Sequence, residues 1–257
     1  QAGIRMLAPD SRVTWAYHCR ADHDFHVMEN DHLLIHGLID RIVPALGTEL
    51  RRNPYLIEVD RETKELFWTW HGERHLSELE SFFDVEALLD PERRAAQLLR
   101  ERLTWDPEVQ RLTGDEREAY VARHARQFAF DWAHNNTSEV MAANASGEVY
   151  ARFRAGNILV SYRSLDVIGV IDADSGAIVW AWGPGTLDGQ HQPAMLENGH
   201  ILIYDNGTRR GYSRVLELDP LTEEVAWSYT GDPKSDFFAA FISGAQRLPN
   251  GNTLICE

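Results

Sequence analysis

The sequence predicts an all-β protein of the β-propeller class that carries one helical insertion. The first observation is a nine-residue pattern, D-x-x-[ST]-x-x-[apolar]-x-W, which occurs at residues 60–68, 172–180 and 219–227. The second is a tight Asn-Gly or Asn-Asp turn that leads into an apolar strand and recurs along the chain. Hairpins repeated in this way are typical of radial β arrays, so we interpret the repeats as propeller blades.

Each copy of the nine-residue pattern has the features of a β-hairpin. An apolar run precedes the aspartate, a polar turn starts at it, and a second apolar strand ends in tryptophan. The apolar runs are residues 55–59, 167–171 and 215–218, and a shortened copy of the pattern spans 10–15. We expect the aspartates to shape the turns and the tryptophans to pack between blades, because a large ring fills the wedge there.

The spacing of the terminal tryptophans locates the insertion. Trp15, Trp68, Trp180 and Trp227 are separated by 53, 112 and 47 residues, and a four-stranded blade takes about 40 to 50. The extra residues between Trp68 and Trp180 lie at 72–131, where the sequence predicts mostly helix. Asp90-Pro91 is predicted to cap one helix and begin its first turn, and another short helix is predicted at 115–123. We predict a propeller fragment over residues 1–257, with the helical insertion at about 72–131 as a cap or, alternatively, a lid.

Composition excludes several partners. The chain has 40 acidic against 25 basic residues and a net charge of −15, so duplex nucleic acid and anionic membranes are not expected partners. No apolar run approaches the roughly 20 residues of a membrane span. The chain starts at Gln1 and stops inside a predicted strand at 252–257, and we interpret it as a fragment of a longer protein. The oligomeric state and the number of missing blades are not predicted.

Aligning the recurring turns brings three polar residues to one repeat position. His23, His191 and Ser243 each lie six residues before a turn. Because the innermost strands of a propeller line its channel, polar groups at equivalent positions converge there. His134 and Arg163, which follows the strand at 157–161, are further candidates, although the turn register does not fix His134.

These motifs resemble those of the bacterial arylsulfotransferase family. The resemblance lies in residues 131–135, 158–163, 190–191 with 204–207, and 243–252, and so covers residues 131–257. It implies a six-bladed propeller with PQQ-like repeats that moves a sulfuryl group from an aryl sulfate to a phenol without a nucleotide donor. It also implies no cofactor, small-molecule partners only, and a periplasmic or extracellular location.

The resemblance also assigns roles to the candidate residues. His191 resembles the histidine that forms a sulfohistidine intermediate, and His134 and Arg163 resemble groups that hold the sulfuryl oxygens. His23 and Ser243 are expected to bind substrate. A neutral imidazole is a competent nucleophile near neutral pH, and cationic donors stabilise the charge that develops during transfer.

Two other functional classes remain open. Histidines that converge on a propeller axis could hold a metal, but no carboxylate or fourth ligand is evident, so no metal ligand is predicted. A non-catalytic propeller that binds a ligand or protein is the other class. Four further histidines do not share the register, and we interpret them as structural or surface residues: His26, His32, His36 and His200.

Overall fold

The computed structural model describes residues 3–257, which form a mostly β structure. Its strands make three four-stranded antiparallel sheets and two two-stranded sheets. In each four-stranded sheet, strands that follow one another in the chain are hydrogen-bonded neighbours. This meander is the pattern expected of repeated hairpins.

The strand bounds show the repeat. A first pair is formed by β1 (Gly3–Leu7) and β2 (Val13–His18). The first four-stranded sheet contains β3 (Ala21–Val27), β4 (His32–Ile42), β5 (Leu50–Asp60) and β6 (Leu66–His71). The second contains β7 (Asn135–Val140), β8 (Ile158–Tyr162), β9 (Val167–Ile171) and β10 (Ile178–Trp182). The third contains β11 (His191–Met195), β12 (Ile201–Asp205), β13 (Arg214–Asp219) and β14 (Glu224–Tyr229). A last pair is β15 (Gly244–Arg247) and β16 (Thr253–Cys256).

Five helices separate β6 from β7. They are α1 (Leu76–Leu79), α2 (Val85–Leu89), α3 (Pro91–Trp105), α4 (Pro107–Gln110) and α5 (Gly114–Phe130). The predicted cap is confirmed, because Asp90 Oδ1 accepts hydrogen bonds from the backbone N–H of Glu92 and Arg93, both at 3.0 Å. A sixth helix, α6 (Ala145–Val149), lies between β7 and β8. Among the described residues, no helix is long and apolar enough to cross a membrane.

The Asp-led hairpins are confirmed. They join β5 to β6, β9 to β10 and β13 to β14. The aspartate caps the turn each time: Asp60 Oδ1 accepts from Thr63 N at 2.7 Å, Asp172 Oδ1 from Ser175 N at 2.9 Å, and Asp219 Oδ1 from Leu221 N at 2.8 Å. The pattern therefore marks the third and fourth strands of each sheet, with the aspartate as the turn-forming residue.

The packing expected of the repeated tryptophans holds for Trp180 and is wrong for Trp227. Trp180 is 1% exposed and meets Phe153 edge to face, with ring centroids 5.4 Å apart. Trp227 is 37% exposed. It lies on the edge strand β14, where its ring is covered only in part, by the Arg247 guanidinium of β15 at 5.1 Å from the ring centroid.

The first strands of successive sheets lie beside one another. Strand β7 contacts both β3 and β11, and β15 contacts β11 and β12. Apolar side chains fill the space between sheets, with one buried cluster joining the first two four-stranded sheets and another joining the second and third. The starts of β3, β7, β11 and β15 are therefore held close together by the packing of the sheets.

Candidate active site

The backbone has a repeated irregularity near the start of each first strand. A residue with left-handed φ occurs there in four sheets: His23 (54°), His134 (45°), Gln192 (46°) and Ser243 (77°). The strand register also shifts at the first three of these places. Non-glycine residues rarely adopt this conformation, and bulges of this kind re-aim side chains next to functional sites.

Three histidine rings come together at these strand starts. The ring centroids of His23 and His134 lie 4.9 Å apart in an edge-to-face arrangement, and those of His23 and His36 lie 6.2 Å apart. His36 is fully buried on β4. The structure thus brings together two of the predicted site residues and adds His36, for which the sequence predicts a structural or surface role.

In four histidines of this region, the Nδ1 atom is hydrogen-bonded to an oxygen. The partners are Asp22 Oδ2 for His23 (2.5 Å), Asp131 Oδ2 for His134 (2.5 Å), Asn206 Oδ1 for His191 (2.6 Å) and the Asp22 backbone carbonyl for His36 (2.9 Å). An oxygen acceptor requires the proton to be on Nδ1. When these rings are neutral, the lone pair is therefore on Nε2.

The orientation of the Asn206 amide is fixed by its other contacts. Its Nδ2 atom donates to the carbonyls of Ala239 at 2.8 Å and Ile242 at 2.9 Å. Because the nitrogen has two acceptors, the oxygen is the atom that faces His191. Asn206 thus connects His191 to the segment before β15 and sets the tautomer of its ring.

Arg163 lies directly after β8, and its backbone N–H donates to the carbonyl of His134 at 3.1 Å. Its side chain donates from Nη2 to the carbonyl of Ala240 at 3.4 Å. Burial lowers the pKa of the guanidinium, and the nearby Asp166 carboxylate acts in the opposite direction. The side chain nevertheless remains a cation at neutral pH, because arginine does not lose its proton in proteins.

The surroundings shift the pKa values of His191 and His23 in opposite directions. Burial lowers the pKa of His191 to about 4, and the positive charges of Arg163, His134 and His23 act in the same direction. The hydrogen bond to Asn206 acts in the opposite direction and raises the pKa. The hydrogen bond that His23 Nδ1 donates to the Asp22 carboxylate instead raises the pKa of His23, against the effect of burial. His191 is therefore neutral at pH 7 and carries a free lone pair, whereas His23 readily holds a proton. Such a separation is how sites assign acid and nucleophile roles.

Ser243 is the predicted site residue with the weakest structural connection to the histidines. It is half-buried just before β15, which contacts β11. Among residues 3–257, no hydrogen bond links its side chain to His23, His134 or His191.

Sequence reasoning missed three residues that hold the histidines, Asp22, Asp131 and Asn206, and one further histidine of the cluster, His36. One of them, Asn206, could have been found from the sequence. When the second strands are aligned on their turns, Asn206 follows His200 by six residues, just as Arg163 follows Asn157. The backbone of Met141 donates to Asn157 O, and that of Leu196 to His200 O, both at 2.8 Å, which makes the two turns equivalent.

Asp22, His23 and His36 are the residues best placed to hold a metal. One potential ligand atom from each lies within 4.8 Å of the others. The Asp22 carboxylate is already bonded to His23 Nδ1, and His36 Nδ1 to the Asp22 carbonyl. A metal at this place would therefore compete with these hydrogen bonds.

Fold and site together are those of a repeat-built β protein with several histidines at the starts of its strands and a partly buried arginine bonded through its backbone to one of them. The chain belongs to the arylsulfotransferase (ASST) family, whose profile matches residues 11–257. The family predicted from the sequence is thereby confirmed. No curated protein sequence gives a significant match.

A crystal structure of a protein of unknown function from Bacteroides caccae has a similar fold. Its TM-score is 0.51 at 14% sequence identity, over 99% of this chain and 63% of that one. The chain therefore spans less than two thirds of that protein's length. At this identity the similarity concerns the fold alone.

Proposed function

We propose that this chain moves a sulfuryl group from an aryl sulfate to a phenolic acceptor, without a nucleotide donor and with His191 as the nucleophile. One observation carries the proposal: Nδ1 of the half-buried His191 imidazole is bonded to Asn206 Oδ1 at 2.6 Å, which leaves the lone pair on Nε2. Burial lowers the pKa of this ring to about 4, and the charge of Arg163 acts in the same direction, so that the neutral form is favoured at pH 7. Membership of the arylsulfotransferase family supports the class of reaction and of substrates.

In the first half-reaction the lone pair of His191 Nε2 attacks the sulfur. The N–S bond forms, and the bond between sulfur and the aryl oxygen breaks with its electron pair on the departing phenolate. Arg163 and His134 stabilise the sulfuryl oxygens. The proton for the phenolate comes from His23, whose raised pKa suits it to act as the acid.

In the second half-reaction the acceptor phenol gives its proton to His23, and its oxygen attacks the sulfur. The N–S bond breaks, and its electron pair returns to His191 Nε2. Because the partner of Nδ1 is a neutral amide, the ring keeps that proton and its positive charge in the intermediate, which makes it a good leaving group. Ser243 is assigned a polar contact to the substrate on the basis of its repeat position.

The wider setting is part of the proposal. We infer that the sheets are blades of a six-bladed propeller with PQQ-like repeats and that the protein works in the periplasm or outside the cell. The ordered four-stranded meanders and the adjacency of their first strands support the first inference. Cell fractionation of the full-length protein tests the second, and a purely cytoplasmic location would contradict it.

The test is a rapid-mixing measurement with 4-nitrophenyl sulfate. We expect a burst of 4-nitrophenol of about one equivalent, followed by turnover when a phenol is added. The variant His191→Ala should lose both phases. His200→Ala is the matched control, since His200 is a histidine of the same sheet that pairs with Glu217 at 2.8 Å outside the site.

A full burst in His191→Ala would overturn the assignment of the nucleophile. Absence of both burst and labelled histidine in the wild-type protein, with several aryl sulfates, would favour the non-catalytic binding class instead.

A metal-dependent enzyme is the second candidate, favoured by the cluster of Asp22, His23 and His36. It predicts stoichiometric metal in the protein after dialysis and loss of that metal in His36→Gln. Full activity in metal-free protein would rule it out.

A further inference from the structure

A cavity of about 150 Å³ lies between the helical segment and the loops that follow β8 and β12. Helix α3 contributes Arg94 and Arg102, and the loops contribute Arg163, Thr208 and Arg209. This volume is the share of roughly five water molecules in the liquid, which is room for a small polyatomic ion. The cavity is thus enclosed by two separate parts of the chain.

The lining of the cavity is rich in positive charge. It contains four arginines and no carboxylate. Carboxylates behind the lining neutralise part of this charge. Asp166 Oδ2 lies 2.6 Å from Arg209 Nη2 and 3.4 Å from Arg94 Nη2. Asp188 Oδ1 lies 3.2 Å from Arg209 Nη2, and Asp106 Oδ2 lies 3.6 Å from Arg102 Nη1. Arg163 forms no ion pair with any residue of the described chain. The cavity therefore keeps an uncompensated cation.

The guanidinium groups also have unused hydrogen-bond donors. The Nε atoms of Arg94, Arg102 and Arg163 are buried, and none has an acceptor within residues 3–257. A buried donor without a partner costs about 1–3 kcal/mol, and more when it is charged. Three such donors on residues lining one cavity indicate a site shaped for an acceptor-rich anion, because an oxyanion can accept from several guanidinium groups together.

We propose that this cavity binds a small tetrahedral oxyanion of the sulfate or phosphate type. Arg94 and Arg102 occupy one face of α3, since they are eight residues apart. With Arg163 they surround the anion from the helical segment and the sheet loops. The helical segment therefore has a role in anion binding. This binding does not depend on sulfuryl transfer.

Two sources of the anion share this chemistry. The ligand is either the free inorganic ion or the sulfate group of an ester that reaches the cavity past Arg163. Calorimetric titration with sodium sulfate, sodium phosphate and 4-nitrophenyl sulfate, at constant ionic strength set with chloride, distinguishes them.

We expect saturable binding of sulfate to the wild-type protein and at least tenfold weaker binding in Arg94→Gln and Arg102→Gln. Arg100→Gln is the matched control, since it removes the same charge from the exposed side of α3 and should bind normally. If the ester occupies the cavity, the two variants weaken ester binding as well and sulfate competes with it. If the free ion occupies the cavity, ester binding is unchanged while sulfate binding is lost.

No saturable binding of sulfate or phosphate to the wild-type protein, or equal affinity in Arg94→Gln and wild type, would overturn the proposal. Circular dichroism of each variant separates loss of binding from loss of folding. A crystal of the wild-type protein soaked in selenate gives an independent answer, because the anomalous signal of selenium must lie in this cavity. The variant His191→Ala should bind sulfate normally, so that failure of the proposed catalysis remains distinguishable from failure of this inference.

Discussion

At the scale of single residues, the partner of each imidazole determines its chemical character. His23 is bonded to a carboxylate, and that hydrogen bond raises its pKa. His191 is bonded to a neutral amide, and burial lowers its pKa to about 4. Two histidines that occupy related positions in the repeat are therefore suited to opposite tasks, one as proton donor and the other as nucleophile.

The variant Asn206→Asp tests this reasoning. A carboxylate beside Nδ1 would raise the pKa of His191, typically by about 1–3 units, so that a larger fraction of the ring is protonated and unreactive at a given acidic pH. We expect the acid limb of kcat/KM for 4-nitrophenyl sulfate to move upward by at least about one unit.

The control for this variant is Asn206→Ala, which removes the acceptor without adding charge. It should lower the rate without moving the acid limb upward. Since both variants lose the bonds from Nδ2 to Ala239 and Ile242, their unfolding midpoints should be compared first. An unmoved profile in a folded Asn206→Asp protein would contradict the electrostatic account.

How much of the site the sequence could predict depends on the kind of contact. His23 and His191 were found by their spacing from turns, which is a local property. Asp131 is three residues from His134 and Asp22 is adjacent to His23, but such neighbours are common and only the fold shows which ones bond. His36 reaches the site across the β3–β4 pair, so its role depends on strand register.

At the scale of elements, the cap of α3 illustrates how local sequence fixes structure. Asp90 accepts two backbone N–H bonds at the first turn, and Pro91 occupies the first helical position. The helix then packs on α5 through a cluster that includes Leu98 and Tyr120. The cap therefore fixes where the helix that carries Arg94 begins.

We predict that Asp90→Ala lowers the free energy of unfolding by about 1 kcal/mol, because two N–H groups lose their acceptor. Urea denaturation measures the loss, and hydrogen exchange should show it first in the amides at the start of α3. Asp115→Ala is the control, since Asp115 lies in the first turn of α5, which is capped by Thr113 and Glu116 instead. A loss as large in Asp115→Ala would show that charge at the helix start, rather than the capping bonds, is responsible.

The hairpins were predicted where the nine-residue pattern was complete, the helical insertion was predicted only in part, and α6 was missed. The three Asp-led hairpins follow from nine residues each. The short helix expected at 115–123 is in fact α5, which continues to Phe130 because Phe128 still packs in the α3–α5 cluster. Helix α6 lengthens the connection between β7 and β8, and this is why the turn register could not place His134.

At the scale of the whole molecule, buried titratable groups link stability to pH. Burial lowers the pKa of His36 and of His191 from 6.5 to about 4, so each binds a proton on unfolding when the pH lies between these values. Burial raises the pKa of Glu139 from 4.5 to about 7, so this group releases a proton on unfolding in an overlapping range. The histidines make stability rise with pH, and the glutamate makes it fall.

Single variants should separate these opposing contributions between pH 4.5 and 6.5. His36→Gln removes one group that takes up a proton on unfolding, so the slope of the unfolding free energy against pH should fall by up to about 1.4 kcal/mol per unit. Glu139→Gln should raise the slope by a similar amount. In the wild-type protein the Glu139 carboxylate accepts a hydrogen bond from Met195 N at 3.1 Å, and the glutamine side chain retains an acceptor for it. Urea denaturation at several pH values measures both, and the double variant should return close to the wild-type slope. An unchanged slope in His36→Gln would mean that this imidazole titrates alike in the folded and unfolded protein, which contradicts burial as the dominant influence on its pKa.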